Sequence, residues 1–323
     1  MSRKVLPHDD PAGDAISAAT WPAEAAGVVG ADQVVALAYL TPARGVVLLP
    51  LSNTGLCDRS AGRVTVTSSI GMWRKLARIQ ASPRIALAYH TRAHGFARGQ
   101  HYVLLQGSAS VGPLEDRTWI DRHRDHWERF LGPRDVGLWE PLLRAYHWRI
   151  PVELEVGRAA VWPDLACRGW AGVEGPPFEE PAGQRPPKNG TGPRIDHRKA
   201  TRRAARLPNV LLGWAGADGF PVVVPVRVAG AADEGIILHA PAGLLPQGGR
   251  RAGLLAHSFA RYTFGQNLRK HTGWLEVRGD RIVYAPHTER GYHLPSSRFL
   301  YRAGAAFVTN RGLRAARRAG FVS

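Results

Sequence analysis

Cysteine, acidic residues and long apolar runs are all scarce in this chain. Cys57 and Cys167 are the only thiols among 323 residues, which excludes a disulfide-stapled scaffold and a four-thiolate zinc site. The first ten residues lack the apolar stretch of a signal peptide, and the most apolar region, 34–51, is interrupted by Pro42 and Arg44. We therefore expect a soluble, cytoplasmic protein with no membrane partner and no metal site.

The shortage of acidic residues gives the chain a formal net charge of +17, which raises the question of a nucleic-acid partner. Most of the excess charge lies in two peripheral segments, 179–206 and 297–323. The remainder is only mildly basic. This distribution favours solvated flanks over a binding groove, so a basic nucleic-acid-binding protein is an alternative that the sequence disfavours.

Glycine and proline are abundant, at 36 and 24 residues, and argue against a helical bundle. Short β-branched and leucine-rich runs between turn signals predict strands in both halves. The predicted strands are 33–40, 45–51, 63–67, 84–89, 101–111, 149–162, 210–214, 221–228, 235–239, 273–277 and 281–285. The predicted helices are 70–80, 115–130, 136–147, 196–206 and 298–319.

The organisation predicted from these patterns is a loose arm (1–20), a first domain (21–165), a linker (166–206) and a second domain (207–323). The linker prediction rests on a proline- and glycine-rich stretch without apolar period, followed by a basic segment. The second domain ends in a basic helix. We expect Leu300, Phe307 and Val308 of this helix to face the second barrel, with its arginines in water.

The second half repeats the first. The apolar run around Pro50 has a partner around Pro225, and both runs follow a turn. Two registers remain open further on, because both match about equally well. Beyond 47–51 with 222–226, the predicted matches are 75–79 with 251–255, and either 154–156 with 275–277 or 107–111 with 273–277.

A hydroxyl run precedes the first long helix. Thr67, Ser68 and Ser69 end a predicted strand, and Lys75 and Arg78 follow on the helix. Hydroxyls, backbone N–H groups and cations at a helix N-terminus together favour an anion site, such as one for a cofactor phosphate. The alternative is that the serines cap the helix while both cations are solvated.

The order of these parts resembles the flavin-binding split barrels related to pyridoxamine 5′-phosphate oxidase. The resemblance runs over 33–111 and includes the spacing Lys75, Ile79, Pro83, with Arg78 where the family usually has asparagine. The strand around Gln106 and Gly107 also looks like the family's. The resemblance implies a mainly β fold with flanking helices, in which two split β-barrels in tandem form an intramolecular pseudo-dimer.

The resemblance also implies a function: an FMN-dependent oxidoreductase that transfers electrons or hydride to a small organic substrate. FMN would contact a site formed by Thr67, Ser68, Ser69, Lys75, Arg78 and Gln106. Trp274, Tyr284 and His239 of the second half are candidates for a stacking wall. No catalytic residue is identified, because a flavin carries the redox chemistry itself.

Other readings of the sequence stay open. A deazaflavin-dependent reductase would use the same fold with a longer acidic cofactor. A non-catalytic flavin or haem binding module is a further alternative, with His90 or His257 as a haem ligand. The chain would be a monomer with an internal pseudo-dimer, or a homodimer.

Overall fold

Two antiparallel sheets with flanking helices make up the computed structural model, which describes residues 20–169 and 171–323. The predicted arm therefore lies almost entirely outside the described residues. The first sheet contains β1 (Val34–Leu40), β2 (Val46–Ser52), β3 (Leu56–Asp58), β4 (Arg63–Ser69), β5 (Arg84–Tyr89), β6 (Tyr102–Val111), β7 (Arg149–Trp162) and β8 (Gly172–Glu174). The second contains β9 (Asn209–Ala215), β10 (Pro221–Pro225), β11 (Arg227–Ala232), β12 (Gly235–His239), β13 (Gly248–Ser258), β14 (Asn267–Arg278) and β15 (Arg281–His293).

Short helices fill the connections, and a longer one ends the chain. They are α1 (Ala23–Val29), α2 (Trp73–Ala81), α3 (Trp119–Arg122), α4 (Arg124–Leu131), α5 (Trp139–Leu142), α6 (Arg144–His147), α7 (His197–Ala204) and α8 (Arg298–Arg318), with 3₁₀ turns at Ile70–Met72 and Arg261–Thr263. The two helices predicted over 115–130 and 136–147 are wrong in length. Each is divided into two short helices, at His123 and at Leu143, whose backbone departs from helical angles. No described helix is long and apolar enough to cross a membrane.

The strand orders of the two sheets are the same. The first runs β2-β1-β5-β6-β7-β4-β3 and the second β10-β9-β13-β14-β15-β12-β11. Pro50 and Pro225 hold equivalent places on β2 and β10, opposite β1 and β9 respectively. The predicted fold, two split barrels in tandem, is confirmed.

The two open registers of the repeat are resolved by a β-bulge. The β6–β7 ladder shifts at Gly107 and the β14–β15 ladder shifts at Gly273, so these glycines correspond. The match of 154–156 with 275–277 is wrong, because these segments lie on β7 and β14, which are not equivalent. The match of 75–79 with 251–255 is also wrong, because the first is helix α2 and the second is part of strand β13.

The two barrels pack against each other as an intramolecular pseudo-dimer. One apolar cluster draws buried residues from both halves, among them Leu48 and Val223. The Tyr102 hydroxyl donates to the carbonyl of Val223 at 2.7 Å. A Cβ on Gly253 would lie 2.3 Å from the Val46 carbonyl oxygen, so only glycine allows β13 to approach β2 this closely.

The segment predicted as a linker contacts the second sheet. Beyond β8, which pairs with β7, the chain runs beside β13 before α7 begins. The amide of Gln184 donates to the carbonyl of Gly249 at 2.8 Å, and the guanidinium of Arg250 donates to the carbonyl of Pro181 at 3.1 Å. The domain boundaries at 165 and 207 remain predictions.

The C-terminal helix differs from the prediction in both its face and its partner. Most of its buried residues are small, including Ala305, Thr309 and Ala316, and only Tyr301 and Leu313 are large, whereas Phe307 is exposed. The helix packs on α6, α2 and the turn at Ile70–Met72, all in the first half. The expectation that Leu300, Phe307 and Val308 face the second barrel is wrong for Leu300 and Phe307, which are exposed because the buried side of α8 lies on the first half. Val308 is 37% exposed and lines a cavity together with Tyr292 and Leu294 of the second half.

Candidate functional site

The predicted hydroxyl run is buried at the end of β4. Ser69 caps the 3₁₀ turn: its Oγ accepts the amide of Gly71 at 3.1 Å and donates to the carbonyl of Ala145 at 2.6 Å. Ser68 Oγ donates to the carbonyl of Ser69 at 3.1 Å, and Thr67 Oγ1 accepts from the Nε of Arg149 at 3.2 Å. Capping therefore occupies Ser69, while Thr67 holds a cation in place.

Lys75 is a buried cation on the first turn of α2. Its side chain lines a cavity below β4 and is only 9% exposed. Among the described residues it has no hydrogen-bond or ion-pair partner. Burial, together with the positive charges of Arg149 and Lys270, lowers the pKa of Lys75 to about 7.

Arg149 is the second buried cation at this cavity, and it begins β7 directly opposite Ser69. Its guanidinium lies 5.2 Å from the ring centre of Trp127 and 5.3 Å from that of Tyr146. No described carboxylate pairs with it. A buried charge without a counter-charge is costly, so two such cations beside one cavity favour an anionic ligand.

This cavity, which we call the first cleft, has a volume of about 110 Å³. It lies between the two barrels and is covered by α8. Its lining comprises Pro50, Leu51, Ser52, Thr67, Ser68, Ser69, Met72, Lys75, Tyr146, Arg149, Gln266, Tyr292, Leu294, Tyr301, Ala305, Val308 and Thr309.

The contact that seats α8 over the first cleft depends on two glycines. A Cβ on Gly312 would lie 1.8 Å from the carbonyl oxygen of Gly71, and a Cβ on Gly71 would lie 2.5 Å from that of Thr309. Neither position accepts another residue without moving the helix. Because α8 lies this close to the first barrel, the cleft has room only for a small group.

Four of the six predicted site residues meet at this cleft: Thr67, Ser68, Ser69 and Lys75. Arg78 and Gln106 do not line it. Arg78 is exposed one turn further along α2, near Tyr39. Gln106 lies between the barrels, where it donates to the Pro221 carbonyl at 2.7 Å and accepts from Arg158 at 2.9 Å.

The proposed aromatic wall is also placed differently. Tyr284 is buried in the core of the second barrel, and Trp274 donates to Glu276 at 2.9 Å instead of facing the first cleft. Tyr292 and Tyr301 line the cleft in their place. Sequence reasoning missed Arg149 as well, because only the pairing of β7 with β4 brings it to the hydroxyl run.

The equivalent position in the second barrel is an open cavity of about 730 Å³, which we call the second cleft. By strand order β12 replaces β4, so His239, Ala240 and Pro241 stand where the hydroxyl run stands in the first. No described helix joins β12 to β13, so a counterpart of Lys75 is missing there. The remaining lining includes His90, Thr91, Arg168, Pro225 and Arg227.

Two histidines at equivalent strand ends meet behind the second cleft. Nε2 of His90 lies 2.8 Å from Nε2 of His257, and Nδ1 of His90 lies 3.0 Å from the carbonyl oxygen of Ala88. Since a carbonyl can only accept, Nδ1 of His90 carries the proton and Nε2 of His257 donates to His90. Burial lowers the pKa of His90 to about 4, and burial together with the neighbouring His90 lowers the pKa of His257 well below its usual value.

Comparison with known proteins gives similarity in solved structures alone, since no protein-family model and no curated protein matches the sequence. The chain is similar to a conserved hypothetical protein from Mycobacterium tuberculosis (18% identity, 46% of this chain and 89% of that one, TM-score 0.33). It is similar to an FAD-binding protein from Mesorhizobium loti (17%, 49% and 97%, TM-score 0.29). A third is a pyridoxamine 5′-phosphate oxidase-related, FMN-binding protein from Nostoc punctiforme (10%, 41% and 75%, TM-score 0.27). The fold is defined by the strand order that the two sheets share.

Proposed function

We propose that the first cleft binds the phosphate end of a flavin-type cofactor, FMN in the first instance, and that the loaded protein acts as an oxidoreductase on a small organic substrate. The observation that carries this proposal is the pair of buried, unpaired cations, Lys75 and Arg149, beside one cavity. A phosphate group supplies the missing negative charge, and charge-assisted hydrogen bonds to it are the stronger kind.

Each residue at the cleft has a distinct part in this proposal. Arg149, held by Thr67 and two aromatic rings, offers a fixed guanidinium to the phosphate. Lys75 adds a second positive charge. Tyr292 and Tyr301 line the cleft, and α8 covers it and excludes water. When bound, a flavin supplies the electron or hydride transfer.

The fit is good for the phosphate and poor for the ring. A cavity of about 110 Å³ accommodates a phosphate-sized group, whereas drug-sized ligands occupy pockets of about 300–1,000 Å³. Binding of the whole cofactor therefore requires α8 to shift outward. The deazaflavin coenzyme, with its longer acidic tail, makes the same demand.

The limited volume favours one other candidate function, a non-catalytic module that binds a small phosphorylated ligand with α8 in place. A haem module has less support, because His90 and His257 use their Nε2 atoms on each other. The physical requirement shared by the leading and second candidates is the phosphate.

The experiment is a pair of titrations, with FMN and with riboflavin, which is FMN without its phosphate. We expect FMN to bind at least about tenfold more tightly, since each charge-assisted contact is worth roughly 1.5–3 kcal/mol. Affinity should also fall between about pH 6 and about pH 9, because Lys75, whose pKa is about 7, loses its proton over this range. Equal affinities for the two ligands would contradict the phosphate site. If the protein binds inorganic phosphate but does not bind FMN, the non-catalytic module is favoured.

A further inference from the structure

The apolar side chains that the fold leaves exposed are concentrated on one side of the molecule. Within 20–169 and 171–323, every exposed large apolar side chain except Phe96 lies on α8 or in the segment beside it. Leu138 is 88% exposed, and Phe299 and Phe307 are each 65% exposed. We call this set the apolar face: Val136, Leu138, Leu142, Phe299, Leu300 and Phe307.

The apolar face is continuous. The ring of Phe299 contacts that of Trp139, with centroids 5.3 Å apart, and Asn310 donates to the carbonyl of Leu142 at 2.7 Å. The 136–142 segment therefore lies beside the first half of α8. Because the opposite side of the helix is buried on the first barrel, Phe299, Leu300 and Phe307 all point outward.

Positive charge continues the same surface toward the end of α8. Arg311, Arg314, Arg317 and Arg318 are exposed and have no ion-pair partner among the described residues. The acidic groups beside the helix are already paired, because Asp135 contacts Arg302 and Glu140 lies 3.7 Å from Arg134. The surface thus joins protruding apolar groups to uncompensated cations.

We propose that the apolar face and the four arginines form a docking surface for an anionic lipid bilayer, on which α8 lies flat. Phenylalanine and leucine side chains insert at the boundary between head groups and acyl chains, and arginines bind lipid phosphates. The sequence prediction of no membrane partner rested on the lack of a spanning segment, and a helix lying on the surface requires none.

Two features favour lipid over a protein occupant. Leu138 and Val136 protrude singly, at 88% and 75% exposure, and a protein partner would need a matching pocket for each, whereas a fluid interface adapts to them. A second copy of the chain would oppose a net charge of +17 with another of the same sign. An anionic bilayer attracts this charge.

The test is co-sedimentation with vesicles of phosphatidylcholine, with and without phosphatidylglycerol. We expect binding to the anionic vesicles alone. The double variant Phe299→Ser, Phe307→Ser should bind at least about tenfold more weakly, because it removes apolar side chains that insert into the bilayer. Phe96→Ser, the matched control outside the face, should bind as the unchanged protein does. Thermal unfolding checks that each variant is folded.

Two double variants that each remove two positive charges distinguish binding through this surface from non-specific electrostatic binding. Arg314→Gln with Arg317→Gln should weaken binding about tenfold, whereas Arg202→Gln with Arg206→Gln, in the other basic segment, should not. Equal losses from both pairs, with no effect of the phenylalanine changes, would overturn the proposal. It also fails if the anionic vesicles do not bind the protein, or if the phenylalanine changes instead convert a dimer into a monomer in light scattering.

Discussion

The two clefts between the barrels occupy equivalent places and have opposite properties. The first is small, covered by α8 and bordered by the buried cations Lys75 and Arg149. The second is open, and His239 and Pro241 stand where the first has hydroxyls. Equivalent backbones thus carry one covered cavity with two buried cations and one open groove. The difference comes from two additions to the first half, helix α2 and the docked α8.

The largest expected effect concerns the cover of the first cleft. Gly312→Val should destabilise the protein by about 3 kcal/mol, because its Cβ would lie 1.8 Å from the Gly71 carbonyl oxygen and α8 must move. Ala303→Val, on the exposed side of α8, introduces the same side chain without a close contact and should cost less than about 1 kcal/mol, the loss in helix propensity from alanine to valine. Denaturant unfolding measures both. Similar losses would mean that the glycine contact does not seat the helix.

The next effect concerns the histidine pair behind the second cleft. Burial lowers the pKa of His90 from 6.5 to about 4, so the unfolded chain binds more protons below pH 6.5 and stability falls as the pH drops from there. Each such group contributes a slope of up to about 1.4 kcal/mol per pH unit. The double variant His90→Leu, His257→Leu should show a shallower fall in Tm toward about pH 4. An unchanged pH dependence would contradict the assignment of neutral histidines.

A smaller effect of opposite sign is expected in the first cleft. Lys75→Met removes a buried charge that has no described partner, so the ligand-free protein should gain about 1–2 kcal/mol of stability. The folded-state pKa of about 7 lies below the unfolded value of 10.5, so this gain should be present below about pH 7 and vanish as the pH rises to about 10. Chemical unfolding at two pH values tests it. A loss of stability would show that the cation is already compensated.

The smallest effect is expected from the outer surface of α8. Arg311→Gln, Arg314→Gln and Arg318→Gln together should leave FMN affinity within about threefold, less than about 1 kcal/mol, since none of these side chains lines the first cleft. The same titration that measures FMN binding measures this. A loss above about tenfold with an intact circular dichroism spectrum would place the anionic ligand at the C-terminus.

Strands with regular patterns were predictable, and the exceptions have physical causes. The β1–β2 hairpin and β5 carry unbroken apolar runs, and their predicted bounds agree with the structure to within one residue. Strand β13 was missed because it begins Gly248-Gly249-Arg250-Arg251, which has little β-propensity. It is stabilised instead by pairing with β9 and β14 on both sides.

The candidate site was predictable where it is contiguous in sequence. Thr67 to Lys75 form one strand-to-helix junction, and four predicted residues there share a cavity. Arg149, Tyr292 and Tyr301 come from β7, β15 and α8, so only strand pairing, barrel packing and helix docking bring them together. Short-range patterns contain none of this information.

If the first cleft binds a phosphate and the second does not, matched substitutions in the two clefts should affect FMN binding differently in a titration. Lys75→Ala should raise the Kd for FMN roughly ten- to hundredfold, corresponding to one charge-assisted contact of about 1.5–3 kcal/mol. Arg227→Ala, which removes a cation from the second cleft, should leave the Kd unchanged. Weaker FMN binding by Arg227→Ala together with unchanged binding by Lys75→Ala would show that the phosphate does not bind in the first cleft.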